Sequence, residues 1–321
     1  MTTRDNEPQP GREDDWYHGA SAEDRREYDA FGPWVSPIHS IEEMPKRFRV
    51  WFDENAGAAF MFKIPINAER RNLRPGMDLY CTVVAIHPDR VVLLEWNGEE
   101  VESHVVRMDA VQAIRSYQNL LQSQLSLLID DGSSACVEYN SVSSDLMDEA
   151  ILFLQRHVAA LTPETRGEEV SAAGPEPDAI DEHFFLSLWE NSKRRCPDAR
   201  VLHWEAPGIR CRDTSGWRRY SLGCLVLYEA GALVVLGQGR FMRKWHEPIY
   251  SREELYVPVP SVVAVEITSR PAGHKETVPV TRLMLRGHVV ELELFAPADR
   301  LHRFLESKVA TLVAKPAEVP V

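Results

Sequence analysis

Four arginines in the second half of the chain have the residue type and the spacing of an anion site. Arg210 and Arg212 alternate in a strand-like run, so their side chains are expected on one face of a strand. Arg218 and Arg219 follow in the same segment. Because a guanidinium group carries a planar fork of donors that matches phosphate oxygens, these residues predict a local anion-binding site. The alternative is a solvated strand face whose arginines pair with neighbouring acidic residues.

A basic and aromatic stretch further along the chain is the second candidate site. The second half carries an insertion around residues 241–256 that the first half lacks, and insertions map to surface loops. Tryptophan and arginine are side chains that often anchor protein interfaces. We expect this loop to contact a protein partner through Arg240, Arg243, Lys244, Trp245 and His246.

The other polar residues form no recognisable catalytic or metal-binding motif. The histidines lack the spacing of two ligands on one helix face and are interpreted as structural or surface residues: His203, His246, His274, His288 and His302. The 5 cysteines are widely spaced, which favours reduced thiols over disulfides or a zinc site. Residues 237–240 (Gly-Gln-Gly-Arg) lack the lysine of a phosphate loop. We therefore predict no enzyme activity, no cofactor and no metal.

Charge is distributed unevenly along the chain. Residues 1–178 carry 16 basic and 32 acidic side chains, whereas residues 179–321 carry 20 basic and 17 acidic ones. An acidic surface repels nucleic-acid phosphates and anionic lipids, so any anion-binding role is assigned to the second half. Nucleic acid is not an expected partner.

The sequence shows neither a membrane-spanning segment nor a secretory signal. Its longest apolar run, residues 225–236, is interrupted by Glu229 and is shorter than the roughly 20 residues that a spanning helix needs. The first residues are polar and charged, unlike a signal peptide. We expect a cytoplasmic protein.

Composition divides the chain into two domains. Acidic residues, proline and glycine dominate residues 1–28 and 162–178, which predicts a disordered acidic tail and a disordered linker. The two predicted domains cover residues 29–161 and 179–313, and residues 314–321 form a second tail.

The same order of elements is expected in both domains. A short strand that ends at a proline precedes a hairpin, residues 79–94 in the first domain and 221–236 in the second. A later hairpin turns at Gly132 or at Gly287, where glycine permits a positive φ. Similar order and spacing predict an old duplication.

Each domain is also expected to begin and end with a helix. Leading helices are predicted over residues 41–55 and 179–194. Apolar residues at helical spacing predict a closing helix around Leu154 in the first domain and one from Leu301 to Leu312 in the second.

Several short strands followed by one closing helix, twice over, resemble the pleckstrin-homology-like fold. The resemblance covers most of residues 57–161 and 200–313. It implies an α+β fold of two domains, each a bent antiparallel sheet or partly open barrel closed by its C-terminal helix. The order of strands in the first domain is similar to that of small bacterial members, most of which have no assigned activity. Residues 216–222 resemble the basic opening of the second strand in pleckstrin-homology domains, which implies phosphate ligands at Arg218 and Arg219.

These observations predict a non-enzymatic interaction or scaffold protein whose two domains bind a protein partner or each other. Exposed strand edges and the loop around Trp245 would supply the contacts. The alternative is peripheral attachment to an anionic membrane through the second domain. A third possibility, an enzyme of unfamiliar type, requires a deep pocket with convergent polar groups.

Overall fold

The computed structural model describes residues 14–161, 180, 182–212, 218–238, 251–271, 277–309 and 312–314. Within these ranges the fold is mixed α and β, with six α-helices, four sheets and no closed barrel. Three sheets are antiparallel, and the fourth contains one parallel pair. No helix in this part of the chain is long and apolar enough to cross a membrane.

The chain forms two compact units. One contains residues up to 87 together with 91–105, and the other contains residues 88–90 and those from 106 onward. This division differs from the one expected from composition. The linker predicted at residues 162–178 lies outside the described residues, so the predicted domain boundaries stay a prediction.

The first unit is built on a five-stranded antiparallel sheet. Its strands, in spatial order, are β1 (Ser36–Pro37), β2 (Phe60–Pro65), β3 (Tyr80–Ile86), β4 (Arg90–Trp96) and β5 (Val101–Arg107). Its helices are α1 (Asp14–Gly19), α2 (Ala22–Ala30) and α3 (Phe52–Asn55). Because β3 and β4 pair antiparallel, the hairpin predicted over residues 79–94 is confirmed.

Apolar residues on one face of this sheet form the core of the first unit. Val83 and Ala85 of β3 lie two residues apart, as do Val92 and Leu94 of β4, and all four are buried. Residues two apart in a strand point to the same face. Phe48 packs on them and is fully buried. Burial of such an aromatic side chain contributes on the order of 2 kcal/mol.

The helix predicted over residues 41–55 is wrong in its first part. Helical structure begins as a 3-10 turn at Lys46 and continues as α3 to Asn55. Pro45 precedes the turn with φ −58° and ψ 140°, which is an extended conformation. Because proline lacks an N–H donor and its ring blocks the preceding turn, it can lie only at the start of a helix.

The predicted acidic tail contains two helices in its described part, α1 and most of α2, whereas its first 13 residues lie outside the described range. Ser21 caps α2 by accepting the amide N–H of Asp24 at 3.1 Å. Lys46 pairs with Asp24, and Arg49 pairs with Glu23. The acidic composition of this segment predicts disorder, because composition does not show that basic residues of a later segment neutralise its acidic side chains.

In its described residues, the second unit contains three sheets and three helices. Seven of its strands are β6 (Val111–Gln118), β7 (Gln122–Ile129), β8 (Ser134–Asn140), β9 (Arg200–Glu205), β12 (Cys224–Glu229), β13 (Ala232–Gly237) and β14 (Arg252–Pro258). A two-stranded sheet pairs β10 (Gly208–Arg212) with β11 (Arg218–Ser221). A third sheet contains β15 (Val262–Pro271), β16 (Thr277–Leu285), β17 (Val289–Glu293) and β18 (Leu312–Ala314). The helices are α4 (Ser144–Leu161), α5 (His183–Arg195) and α6 (Asp299–Lys308).

Strands from both halves of the sequence share the seven-stranded sheet, whose order is β8-β7-β6-β14-β13-β12-β9. β6 pairs antiparallel with β14, and the register runs from Arg252 opposite Gln118 to Tyr256 opposite Ile114. Strands β6, β7 and β8, which precede α4, therefore share one hydrogen-bonded sheet with β9, β12, β13 and β14 of the second half. We call the β6–β14 junction the seam.

The core of the second unit lies between the seven-stranded sheet, the four-stranded sheet and α6. Val226 and Leu233 of the seven-stranded sheet and Leu283 of the four-stranded sheet pack with Leu301 and Leu305 of α6. All five residues are fully buried. The two leucines of α6 are four residues apart and therefore lie on one face of the helix.

Both closing helices are confirmed as α4 and α6. The leading helix of the second half is present as α5, but it begins at His183, later than predicted, because Glu182 has an extended backbone. Phe185 of α5 is fully buried, with its ring centroid 4.7 Å from that of Trp204. Leu312, however, is not helical, because α6 ends at Lys308 and β18 pairs in parallel with β15. Val309 already has an extended backbone, φ −111° and ψ 125°. The β-branched residues that follow favour a strand.

The order of elements recurs along the chain. Sheet neighbours β2-β3-β4-β5 are followed by β6, β7, β8 and α4, and sheet neighbours β9-β12-β13-β14 are followed by β15, β16, β17 and α6. A short 3-10 turn, Met108–Ala110 or Val259–Ser261, precedes the fifth strand in each series. The predicted hairpins of the second half are confirmed by the β12–β13 and β16–β17 pairs.

Two equivalent turns of the second unit contact each other. Gly132 lies between β7 and β8, Gly287 lies between β16 and β17, and their φ angles are 87° and 73°. A Cβ atom at Gly287 would lie 2.4 Å from the backbone nitrogen of Gly132. Beside this contact, His288 Nε2 lies 2.9 Å from the carbonyl oxygen of Ser133. Glycine is required at position 287 for both its conformation and its close approach.

We predict that Gly287→Ala lowers the free energy of unfolding by more than about 2 kcal/mol, because a left-handed alanine costs roughly 1–2 kcal/mol and overpacking adds roughly 1–3 kcal/mol. Gly231→Ala is the matched control, since Gly231 also has a positive φ of 86° but an added Cβ there would meet no atom within 4 Å. Urea unfolding followed by circular dichroism measures both variants. An equal loss of stability in Gly287→Ala and Gly231→Ala would show that the contact between the two turns does not contribute to stability.

Candidate functional site

The four candidate anion-binding arginines lie on the two-stranded sheet. Arg212 of β10 is opposite Arg218 of β11, and Arg219 is opposite Cys211. The register shifts between Ile209 and Cys211, so the backbone is irregular around Arg210. The side chains of these arginines lie outside the described residues, and the anion site stays a prediction.

The predicted partner loop is only partly described. Arg240, Arg243, Lys244, Trp245 and His246 lie outside the described residues. The end of the predicted insertion forms β14, which pairs with β13 on one side and with β6 on the other. This strand therefore occupies a central position in the seven-stranded sheet.

A buried polar cluster includes His203 and the carboxylate of Glu205. The Glu205 carboxylate lies 3.8 Å from His203 Nε2 and accepts a hydrogen bond from Ser221 Oγ at 2.8 Å. It also accepts the backbone N–H groups of Phe295 and Ala296, at 2.6 and 2.9 Å. In a nucleophilic triad the serine donates to the histidine, whereas here it donates to the carboxylate. The cluster therefore holds the segment that leads into α6.

Three exposed aliphatic side chains form an apolar tip at one end of β6, β7 and β8. Leu120 and Leu121 lie in the β6–β7 turn, Val142 follows β8, and their exposed fractions are 64%, 69% and 66%. The Ser141 amide N–H donates to the Leu121 carbonyl oxygen at 3.4 Å, which brings the two segments together. Single exposed apolar residues are common on protein surfaces, whereas a contiguous apolar group makes the tip a candidate interaction site.

Short-range hydrogen bonds hold the apolar tip in one conformation. The side-chain oxygen of Asn119 accepts the amide N–H groups of Leu121 and Gln122, at 3.0 and 2.9 Å. Ser141 Oγ donates to the Asn119 carbonyl oxygen at 2.6 Å and lies 2.8 Å from Ser123 Oγ. Such side-chain to backbone bonds replace the ladder bonds that a turn lacks. The exposed leucines therefore project from an ordered turn.

Acidic side chains flank the apolar tip. Asp145 and Glu149, in the first part of α4, are both exposed, and Asp145 lies three residues after Val142. Glu138 is exposed on β8, two residues before the strand ends. The tip thus combines apolar contact area with a negative local potential.

A polar cavity of about 310 Å³ lies over the seam. Its floor is one face of the strand pair, because Ser116 and Gln118 of β6 lie opposite Glu254 and Arg252 of β14. Helices α4 and α5 form its walls through Asp148, Ile151, Leu152, Asn191, Arg194 and Arg195. We call this space the seam cavity.

Glu254 is the buried charge of the seam cavity, with 6% of its surface exposed. One carboxylate oxygen accepts Gln155 Nε2 at 2.8 Å, and the other accepts Arg252 Nη2 at 3.0 Å. Arg195 Nη1 lies further away, 4.0 Å from Glu254 Oε1. A buried carboxylate without such donors costs several kcal/mol, so this network stabilises the charge where α4, α5 and β14 meet.

Glu229 lies behind Arg195 and is the second carboxylate of this region. Its side chain is 13% exposed, and Arg195 Nε is 3.9 Å from Glu229 Oε1. Burial raises the pKa of Glu229 above its ordinary value, and the nearby Arg195 charge offsets only part of this effect.

The sequence contains weak signals for the seam cavity. Arg252 and Glu254 alternate, and so do Ser116 and Gln118, which indicates a polar strand face. Arg194 lies at the end of a predicted helix, where basic residues are common. Nothing in the linear pattern indicates that β6 and β14 are neighbours, so the sequence alone does not bring these residues together.

We predict that the free energy of unfolding of Glu229→Gln increases relative to that of the unchanged protein as pH rises. Because the folded-state pKa is raised, the folded protein holds the Glu229 proton more tightly than the unfolded chain does. Stability therefore falls as pH rises from the ordinary glutamate value of 4.5 through the raised folded value, and glutamine abolishes this loss. Urea unfolding at pH 5 and pH 8 measures the difference.

Glu306→Gln, which removes one exposed carboxylate from α6, is the control for the loss of a charge. A stability difference between Glu229→Gln and the unchanged protein that does not vary between the two pH values would contradict the assignment of the raised pKa to Glu229.

No family model matches this chain, and no curated protein matches it.

Proposed function

We propose that this chain is an interaction protein of two pleckstrin-homology-like repeats that binds a protein partner through the apolar tip. The recurring order of four neighbouring strands, three further strands and a helix supports the resemblance. The apolar tip supports binding to a protein rather than catalysis, because its aliphatic side chains offer contact area but no catalytic group. The cytoplasmic location expected from the sequence stays a prediction.

One observation carries this proposal: three large aliphatic side chains, each more than 60% exposed, lie together on an ordered turn. Exposing them costs solvation free energy, and a partner that covers them regains about 25 cal/mol for each Å² of apolar surface. Because Asn119 and Ser141 already fix the turn, little conformational entropy is lost on binding.

The acidic flank specifies the chemistry of the partner. A segment that places leucine-like side chains beside lysine or arginine would cover the tip and meet Asp145 and Glu149 with opposite charge. An amphipathic basic helix has this composition. An anionic membrane would be repelled by the same carboxylates, so the tip favours a protein over a lipid surface.

We predict that Leu120→Ser/Leu121→Ser weakens binding of an amphipathic Leu/Lys peptide about tenfold or more, because burial of each leucine is worth roughly 1.5–3 kcal/mol. Fluorescence anisotropy with the labelled peptide measures affinity. Both leucines are exposed, so the variant is expected to stay folded. Val263→Ser/Val289→Ser, at two half-exposed positions outside the tip, is the matched control.

Two further measurements distinguish this contact from general attraction to an acidic protein. A charge-reversed Leu/Glu peptide should not bind, and Asp145→Asn/Glu149→Gln should weaken the Leu/Lys peptide and reduce its dependence on salt. Equal binding by the tip variant and by the valine control would remove the tip from the proposal.

A second candidate function is attachment to anionic lipid through β10 and β11. The observation that favours it is the register, which places Arg212 and Arg218 opposite each other. Guanidinium groups on neighbouring strands suit the oxygens of a phosphorylated headgroup.

For this second function we predict that Arg218→Glu/Arg219→Glu abolishes cosedimentation with vesicles that contain phosphatidylserine, and that salt has the same effect on the unchanged protein. Arg26→Glu/Arg74→Glu makes the same charge change at two exposed positions of the first unit. Vesicle binding by Arg218→Glu/Arg219→Glu equal to that of the unchanged protein would contradict this proposal.

A further inference from the structure

The seam cavity holds more hydrogen-bond donors than its own carboxylates use. Arg194 donates to Asn191 Oδ1 at 2.8 Å and to a backbone carbonyl, and Arg195 donates to Ser192 Oγ at 3.4 Å. Among the described residues, neither of these two arginines makes a hydrogen bond to a carboxylate. Gln118 Nε2 is buried beside the Tyr139 hydroxyl, and neither atom makes a hydrogen bond of good geometry in the described part of the chain.

The nearest carboxylates do not satisfy these donors. Glu254 accepts one hydrogen bond at each carboxylate oxygen, from Gln155 and from Arg252, and among the described residues it accepts none from Arg194, Arg195 or Gln118. Arg195 lies within ion-pair distance of Glu229 and Glu254, at 3.9 and 4.0 Å, but hydrogen-bonds to neither, and Asp148 is an exposed residue of the cavity wall. A buried amide donor without an acceptor costs about 1–3 kcal/mol, so an acceptor-rich ligand would stabilise this site.

From this arrangement we infer that the seam cavity binds a compact oxyanion, with Arg194, Arg195 and Gln118 as its donors. The cavity volume of about 310 Å³ suits a phosphate group or a small dicarboxylate. Ile151 and Leu152 form the apolar part of the wall, where a lower local dielectric strengthens each charged hydrogen bond.

The donors come from different elements, so the site exists only in the folded second unit. Gln118 lies at the end of β6, whereas both arginines lie in the last turn of α5. Arginines at a helix C-terminus also stabilise the helix dipole without any ligand. Measurements of stability and of anion binding on the same variants separate these two roles.

The test is isothermal titration of the full chain at low ionic strength with inorganic phosphate and, in a second arm, with succinate. Saturable binding of either probe is expected, and the stronger arm identifies the ligand class. Arg194→Gln should weaken binding about tenfold, the loss expected for one charged hydrogen bond. Arg303→Gln, which removes an exposed arginine from α6, should leave the affinity unchanged.

Further variants tie the result to the seam cavity. Gln118→Leu, of similar size but without the amide, should weaken the same probe, whereas Leu120→Ser/Leu121→Ser should leave it unchanged, since the apolar tip is a separate site. Absence of saturable binding by both probes would overturn the inference. So would an equal loss in Arg194→Gln and Arg303→Gln, or a loss of stability in Arg194→Gln with unchanged anion affinity.

Discussion

Antiparallel pairing of β6 with β14 is the constraint on which the second unit depends. It joins strands from the two halves of the sequence, and it satisfies backbone groups that would otherwise form two exposed sheet edges. Bringing β6 and β14 together closes a long loop of chain between them, and the entropy cost of loop closure grows only slowly with loop length. The same pairing places Ser116 and Gln118 opposite Glu254 and Arg252, so the floor of the seam cavity exists only because of it.

The buried carboxylate of Glu254 makes this pairing specific. Side chains alternate between the two faces of a strand, so a slip of one residue would turn Glu254 away from Gln155 and leave its charge without that donor. Apolar side-chain pairs elsewhere in the sheet specify the register less strictly, because hydrophobic interactions are non-directional. Helix α4 is held against β14 by the same hydrogen bond. One charged residue therefore links the register of the sheet to the position of a helix.

The two proposed sites of the second unit use different physics. The apolar tip is exposed, rests on local hydrogen bonds around Asn119 and offers contact area to a large partner. The seam cavity is partly enclosed, and its donors come from a strand and a helix that are distant in sequence. A turn of this kind depends on neighbouring residues, whereas the cavity depends on the whole sheet. Loss of the seam would therefore remove the cavity and leave much of the local structure of the tip.

The sequence by itself determined the features that depend on near neighbours. The β3–β4, β12–β13 and β16–β17 hairpins follow from strand periodicity and from turn residues such as Pro88, Gly231 and Gly287. Helices α4, α5 and α6 follow from helix periodicity, and all of these elements are present. Tertiary structure alone decided the helices inside the predicted acidic tail, the strand at Leu312, the β6–β14 seam and the grouping of Arg194, Arg195 and Gln118. Each of these depends on contacts between distant segments, and such contacts leave no periodic trace in the chain because partner and spacing are set by packing.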